Sequence, residues 1–417
     1  MLTTIAAALQ LALTPQPAAP VQTVFHGRQN QTVVSIQKQN VQVKLDGVLD
    51  DAAWKGAVML TGFSQFDPVD GLPAADSTEV YVTYTDHEIY FGIRAFEPHG
   101  AVNAKLADRD KIFGGDYVDI MLDTFNDHRR AYEFVSNPFG VQADGVYSES
   151  PQTNEDFTPD FLFQSKGRLT DFGYEIEMRI PFKSIGYQPK DVQDWGIQVF
   201  RRVQHSGQNQ TWTPARKGTT SLLSQNGTLQ GLSQLKRGLV LDINPVATAH
   251  LDGKPVAGNF KYGSAEPEFG GNIRWGLTTN LTLNATVNPD FSQIESDASQ
   301  VVFDPRQALF FPEKRPFFLE NSEQLQAPSR LIYTRRIVSP NGAVKFTGKV
   351  GSTNIGYLSA VDDASLSATG DDHPLYNILR LKRDIGKQNT IGLVYTDKEL
   401  AGDYNRVIGL DTRVTFK

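Results

Sequence analysis

The chain has 417 residues, no cysteine and a formal net charge of −7. Without cysteine there are no disulfides, thiolate metal ligands or cysteine nucleophiles, and the acidic balance argues against nucleic acid as a partner. No run reaches the ~18–20 apolar residues of a membrane-spanning helix, whereas 35 Gly, 25 Phe and 14 Tyr favour a turn-rich, all-β chain.

Residues 1–25 contain no Asp, Glu, Lys or Arg. An apolar stretch, Leu2 to Leu13, runs into Thr14-Pro15-Gln16-Pro17-Ala18-Ala19-Pro20. An apolar stretch followed by small residues and prolines reads as an export signal. The basic residues that usually precede such a stretch are missing, which leaves an apolar tail as the alternative.

From Val41 to about residue 237, period-2 alternation recurs in short runs. Examples are Thr78–Tyr84, Glu88–Arg94, Tyr117–Asp123, Gly173–Ile180 and Trp195–Arg201, separated by turn clusters such as Asn137-Pro138-Phe139-Gly140. This grammar predicts an immunoglobulin-like or jelly-roll-type β-sandwich. Trp54 follows an Asp-rich turn, and Trp195 alternates with Ile197 and Val199, so both read as core anchors.

From 238 to 417 the alternation lengthens. In Asn280–Asn288 every odd position is apolar and every even one polar, and Ile408, Leu410, Val414 and Phe416 share one face. Segments of roughly 9–11 residues, apolar outside and polar inside, predict antiparallel strands of a transmembrane β-barrel. A half-buried soluble sheet uses the same period and is the competing reading. Trp275 suits an interfacial aromatic belt. The run Phe310 to Glu320 places four Phe around Glu313, Lys314 and Arg315. Its two prolines exclude a central strand, so it reads as an inward-folded segment or constriction with these charges pairing inside the lumen, or as a structural plug or rim loop with satisfied ion pairs.

Particular residues carry a resemblance. Leu45-Asp46-Gly47-Val48-Leu49-Asp50-Asp51-Ala52-Ala53-Trp54, the stretch Asp116–Phe125, Ala131–Phe134 with Asn137–Asp144, and Gly173–Glu177 with Ile180-Pro181-Phe182 resemble the carbohydrate-binding module family 9 domain. Thr286–Asp297, Phe310–Glu320 and Tyr333–Ile337 resemble the domain of unknown function 5916, an outer-membrane β-barrel family found behind a family 9-like module. The resemblance implies a bacterial outer-membrane location. It also implies a barrel longer than this chain supplies, so the 238–417 barrel is expected to be incomplete.

Enzyme motifs are lacking: there is no His-Glu-x-x-His, no Gly-x-Ser-x-Gly and no phosphate loop. Asp46, Asp50 and Asp51 read as turn and cap residues. Saccharide binding needs an aromatic face and planar polar groups. Trp212, flanked by polar residues, is the candidate platform, although a packed loop Trp fits equally. Arg109, Arg130, Asn137 and Asp144 are the candidate polar partners. No cofactor is called for; the one metal considered is calcium, on Asp116, Asp119 and Asp123. The expected function is an outer-membrane-associated carbohydrate-binding protein without catalysis, its partners an oligo- or polysaccharide and outer-membrane lipid. The alternatives are a glycoside hydrolase or its accessory module, and a structural barrel with a protein-interaction sandwich.

Overall fold

The structure is a computed structural model that describes residues 22–149, 155–219, 221–251, 253–256, 259–291, 311–329, 331–366, 370, 372–386 and 389–414. Most of the expected export signal, Ser292–Asp297, Phe310 and Phe416 lie outside the described residues. The chain is nearly all β, with two one-turn helices, Ala52–Lys55 and Pro316–Leu319.

The N-terminal part is a β-sandwich. One sheet runs in the order Val24–His26, Val58–Thr61, Thr78–Tyr84, Glu88–Phe96, Gly173–Pro181, Gln164–Thr170. The other runs Glu155–Asp156, Gln142–Ser148, Arg130–Ser136, Tyr117–Asp123, Val192–Val203, Gln208–Thr211, Ser64–Asp67, with Gly227–Ser233 and Val33–Ser35 branching from Val192–Val203. Alternate residues meet between the sheets, as burying one face of each requires. Val80, Phe91 and Ile176 come from the first sheet, and Val118, Ile120, Phe134, Ile197 and Val199 from the second. Trp195 lies in this core, edge-on to Phe182 at 5.8 Å, and its indole N–H donates to Gln193 Oε1 at 2.9 Å.

Trp54 is buried too, in a smaller cluster with Tyr81 and Tyr90. Its ring lies against Gly92, where a Cβ would come within 3.1 Å of it, so only glycine fits there. Its N–H donates to Glu177 Oε1 at 3.1 Å, and the Glu177 carboxylate also accepts the backbone N–H of Asp46 and Gly47 at 2.8 Å each. Asp46 accepts from Val48 N at 3.0 Å and Asp51 from Lys44 N at 2.8 Å, the turn roles expected of them. The sandwich takes in two strands upstream of Val41: Val24–His26 pairs parallel to Val58–Thr61, and Val33–Ser35 parallel to Gly227–Ser233.

The C-terminal part is an eight-stranded antiparallel sheet in the order Leu241–His250, Glu266–Gly276, Leu281–Val287, Pro340–Val350, Thr353–Asp362, Leu375–Ile385, Asn389–Leu400, Asp403–Arg413. Gly253–Val256 and Asn259–Tyr262 form a separate hairpin. On part of the sheet polar side chains are buried and apolar ones exposed. Along Pro340–Val350, Lys345, Thr347 and Lys349 are buried while Val350 is exposed. Asn284 and Thr286 are buried, and Ile273, Trp275, Ile408 and Leu410 face outward.

The segment after residue 310 fills the inner side of this sheet. Phe317, Phe318, Leu325 and Ile337 pack on Ala343, Leu358, Ala360 and Ile378. Arg315 binds both Glu313 oxygens at 2.8 Å, donates to Thr334 O at 3.0 Å, and lies 4.1 Å above the Phe318 ring. Lys345 donates to the carbonyls of Phe317 and Glu320. The Glu313–Arg315 pair is satisfied within the segment, as both readings of this run require.

Candidate functional site

A cavity of about 1180 Å³ lies where the outer face of the second sandwich sheet meets the inner side of the eight-stranded sheet. Strand parity decides what it sees. In Tyr117–Asp123, Val118, Ile120 and Leu122 face the core, which turns Tyr117, Asp119 and Met121 to the cavity. In Val192–Val203, Ile197 and Val199 face the core, which turns Phe200 and Arg202 outward.

Register aligns these groups into two rows. Arg202 sits between Tyr117 and Asn209 on neighbouring strands, and Asn209 is opposite Asp67. Arg202 Nη1 donates to Asn209 Oδ1 at 3.2 Å, and Asn209 Nδ2 donates to Asp67 Oδ2 at 3.0 Å, making a continuous planar polar row. Beside it Phe200 and Phe66 meet edge to face, centroids 5.9 Å apart, with the Lys217 ammonium over Phe66 at 5.7 Å. Phe66, Tyr117 and Phe200 are partly exposed. An aromatic row beside a row of planar hydrogen-bonding groups offers a sugar ring both its apolar contact and its hydroxyl partners.

Next to these rows Asp119, Glu133 and Glu155 come together. Burial pushes the Asp119 carboxyl well up, with the Glu155 charge adding to it. Burial raises Glu133 to about 10, helped by Asp119 and Glu155, and raises Glu155 as well. Glu133 therefore holds its proton at neutral pH and can donate as well as accept. Asp119 Oδ1 and Glu133 Oε2 are buried without a hydrogen-bond partner.

The far wall fastens the two parts together. Lys349 pairs with Asp127 and, at 2.7 Å, with Asp384. Arg129 pairs with Asp384 at 3.2 Å and donates to Asn389 O at 2.8 Å. Arg130 pairs with Glu323 at 3.0 Å and stacks over the Tyr132 ring at 4.8 Å.

Of the residues singled out from sequence, only Arg130 and Asp119 line this cavity. Trp212 is fully buried in the sandwich core, and no ring face is open for stacking. None of the four Trp lines the cavity. Arg109 and Asp144 meet each other: Arg109 also donates to Gln142 Oε1 at 2.9 Å and Phe161 O at 2.8 Å, while Asp144 accepts the Phe161 N–H. Burial raises Asp144 to about 6. Both hold the Phe161 segment in place. Asn137 Nδ2 donates to Lys105 O at 2.8 Å, and its Oδ1 accepts from Phe139 N and Val141 N at 3.0 Å, so it shapes its own turn.

The calcium set does not assemble. Asp116 joins two loops, accepting from Asn103 N and, at 2.6 Å, from Gln204 N. Asp123 accepts from His128 N at 2.7 Å and Phe125 N at 3.2 Å, and burial raises it to about 8, with Asp127 adding to it. Asp119 alone points into the cavity. Among the described residues no three His, Asp or Glu side chains are grouped to hold a metal ion.

The residues that sequence reasoning missed are Phe66, Tyr117, Phe200, Arg202 and Asn209. The parity that makes Trp195, Ile197 and Val199 core also sends Phe200 and Arg202 to the opposite face. An aromatic and an arginine on an off-core face are a signal the sequence carries.

Residues 45–236 match the family described as carbohydrate family 9 binding domain-like, and residues 240–356 match the domain of unknown function DUF5916. No curated protein matches the chain. Two solved structures of a carbohydrate binding module family 9 from Caldicellulosiruptor kristjanssonii are similar. The one in complex with cellotriose is 14% identical, with 50% of this chain and 97% of that one covered and a TM-score of 0.36. The one in complex with glucose is 16% identical, covering 48% and 96%, with a TM-score of 0.34.

Proposed function

We propose that this chain, a carbohydrate family 9 binding-domain-like sandwich followed by a DUF5916 region, is an exported, outer-membrane-associated protein that binds saccharide in the junction cavity without catalysis. The observation that carries this is the pair of rows on one sheet face: Phe66 and Phe200 beside Tyr117, Arg202, Asn209 and Asp67. Aromatic faces hold the C–H side of a pyranose, and amide, guanidinium and carboxyl groups fix its hydroxyls. Calorimetric titration of the full chain in detergent with a panel of neutral and acidic oligosaccharides tests it. At least one sugar is expected to bind, and Phe200→Ala to weaken that binding about tenfold, the loss of one aromatic anchor. Absence of heat across the panel refutes saccharide binding.

Lipid is the second partner in this reading. Buried Lys345, Thr347 and Asn284 against outward Ile273, Ile408 and Leu410 are arranged as a membrane requires, with apolar side chains toward lipid and polar ones inside. The observed strands of seven to twelve residues suit a bilayer crossing. Detergent-extracted protein is expected to migrate faster in gels unheated than boiled, and to partition into lipid vesicles. A region 238–417 that stays in aqueous solution without detergent contradicts the membrane reading.

A structural role for the sandwich has one observation in its favour: the ion pairs of Arg129, Arg130 and Lys349 dock it onto the sheet as a plug. The same titration separates the two, because a plug alone binds no sugar.

A further inference from the structure

We infer that the ligand of the junction cavity is an anionic glycan, one bearing carboxylate or sulfate groups, which deepens the saccharide reading above and rests on it. The whole chain is acidic, with 40 Lys and Arg against 47 Asp and Glu. The cavity is the reverse: twelve Arg and Lys line it, the core-facing Arg201 among them, against eight Asp and Glu.

The excess is located on particular side chains. Most of the lining cations have a carboxylate partner, as Arg130 has Glu323, Lys349 has Asp127 and Asp384, and Arg380 has Asp411. Arg202, Arg216, Arg237, Lys382 and Arg413 have none among the described residues. Arg202 is held by neutral acceptors, Asn209 Oδ1 and Gly207 O. Arg237 donates to Thr278 O, and its Nε is buried without a partner. Lys382 stands in the field of Asp384 and of three cations, Arg380, Arg129 and Lys349, the last two already paired with that carboxylate. Cations gathered in a partly desolvated cavity repel one another, and an entering anion relieves that repulsion while making charge-assisted hydrogen bonds.

Not every acid of the cavity opposes this. Glu133, raised to about 10 by burial, is uncharged at neutral pH, so beside the aromatic row it offers a donor to sugar hydroxyls and little repulsion to a uronate. A neutral glycan would leave the unpaired cations as they are. An acidic one uses both the aromatic row and the excess charge.

The test titrates the full chain in detergent with four probes: a galacturonic acid tetramer, the same tetramer with its carboxyls reduced to alcohols, a sulfated oligosaccharide of equal length, and an oligoglutamate of equal charge. One or both acidic glycans should bind about tenfold tighter than the reduced tetramer at low salt, as for gain of a charge-assisted hydrogen bond. The margin should narrow as salt rises and shrink in Lys382→Gln. Which acidic glycan binds more tightly names the anion. Equal or tighter binding of the reduced tetramer overturns this inference and leaves saccharide binding standing. Oligoglutamate binding as well as the glycans also overturns it, because charge alone would then suffice. Failure of every glycan removes the saccharide reading as well.

Discussion

Arg201→Met should destabilise the sandwich by about 3–5 kcal/mol, the range for removing one partner of a buried ion pair. Arg201 and Glu97 are both fully buried and pair at 2.9 Å. The guanidinium also donates to Ser77 O, Thr78 Oγ1 and Phe96 O at 2.8 Å each, and lies over the Tyr174 ring at 5.5 Å. It thus joins a strand of the second sheet to the ends of Thr78–Tyr84 and Glu88–Phe96 in the first. Replacing it strands the Glu97 carboxyl in the core and removes a donor from two backbone carbonyls. The sandwich has its own core, so urea unfolding of residues 22–237 measures the loss. Most of the cost comes from the orphaned acid, so the double variant Arg201→Met with Glu97→Leu should recover part of it. A single-variant loss below about 1 kcal/mol, the size of an exposed ion pair, would contradict the clamp.

Trp212→Ala should cost about 3–5 kcal/mol of sandwich stability, as large-to-small changes at buried aromatics do. The ring presses on Gly227, where a Cβ would meet it at 2.6 Å, and the Trp212 carbonyl nearly touches Gly27. The cavity left behind lies inside the core, away from the junction. Trp212→Phe, which keeps most of the volume, should therefore leave saccharide affinity within about twofold, well inside the effect of a lost contact. A Trp212→Phe protein that melts normally but loses its sugar would reinstate Trp212 as a binding residue.

Trp212 also shows where sequence reasoning stops. Its neighbours Gln210, Thr211 and Thr213 are polar, which reads as a solvent-facing loop. All three are buried. Gln198 Oε1 accepts from Thr213 N at 3.0 Å, and Thr213 Oγ1 donates to Gln225 O at 2.8 Å, so the buried Thr213 is satisfied by partners 12 and 15 residues away. Local composition cannot register such distant partners. Arg109 and Asp144, proposed together as ligand contacts, are together because they bind each other. Parity, by contrast, was legible: the strand runs, the core place of Trp195, and the inward Asn284, Lys345 and Thr347 of the second region all follow from period 2.

Two further features depended on distant pairing. Val24–His26 and Val33–Ser35 are three residues each, too short to show a period, and both pair parallel with strands far along the chain. The junction cavity exists only because the sandwich docks on the eight-stranded sheet through contacts such as Arg129 with Asp384 and Lys349 with Asp127. Its aromatic and polar rows come from four different strands, which no spacing in one segment can announce.

The most direct test of the account is hydrogen–deuterium exchange of the full chain in detergent, with and without the tightest-binding oligosaccharide from the titration panel. The expected result is protection on ligand addition in Tyr117–Asp123, the Phe200 end of Val192–Val203, and Gln208–Thr211, with none at the Phe161 segment held by Arg109 and Asp144. Protection confined to that segment, or to strands of the sheet facing away from the sandwich, would place the saccharide elsewhere and contradict the account.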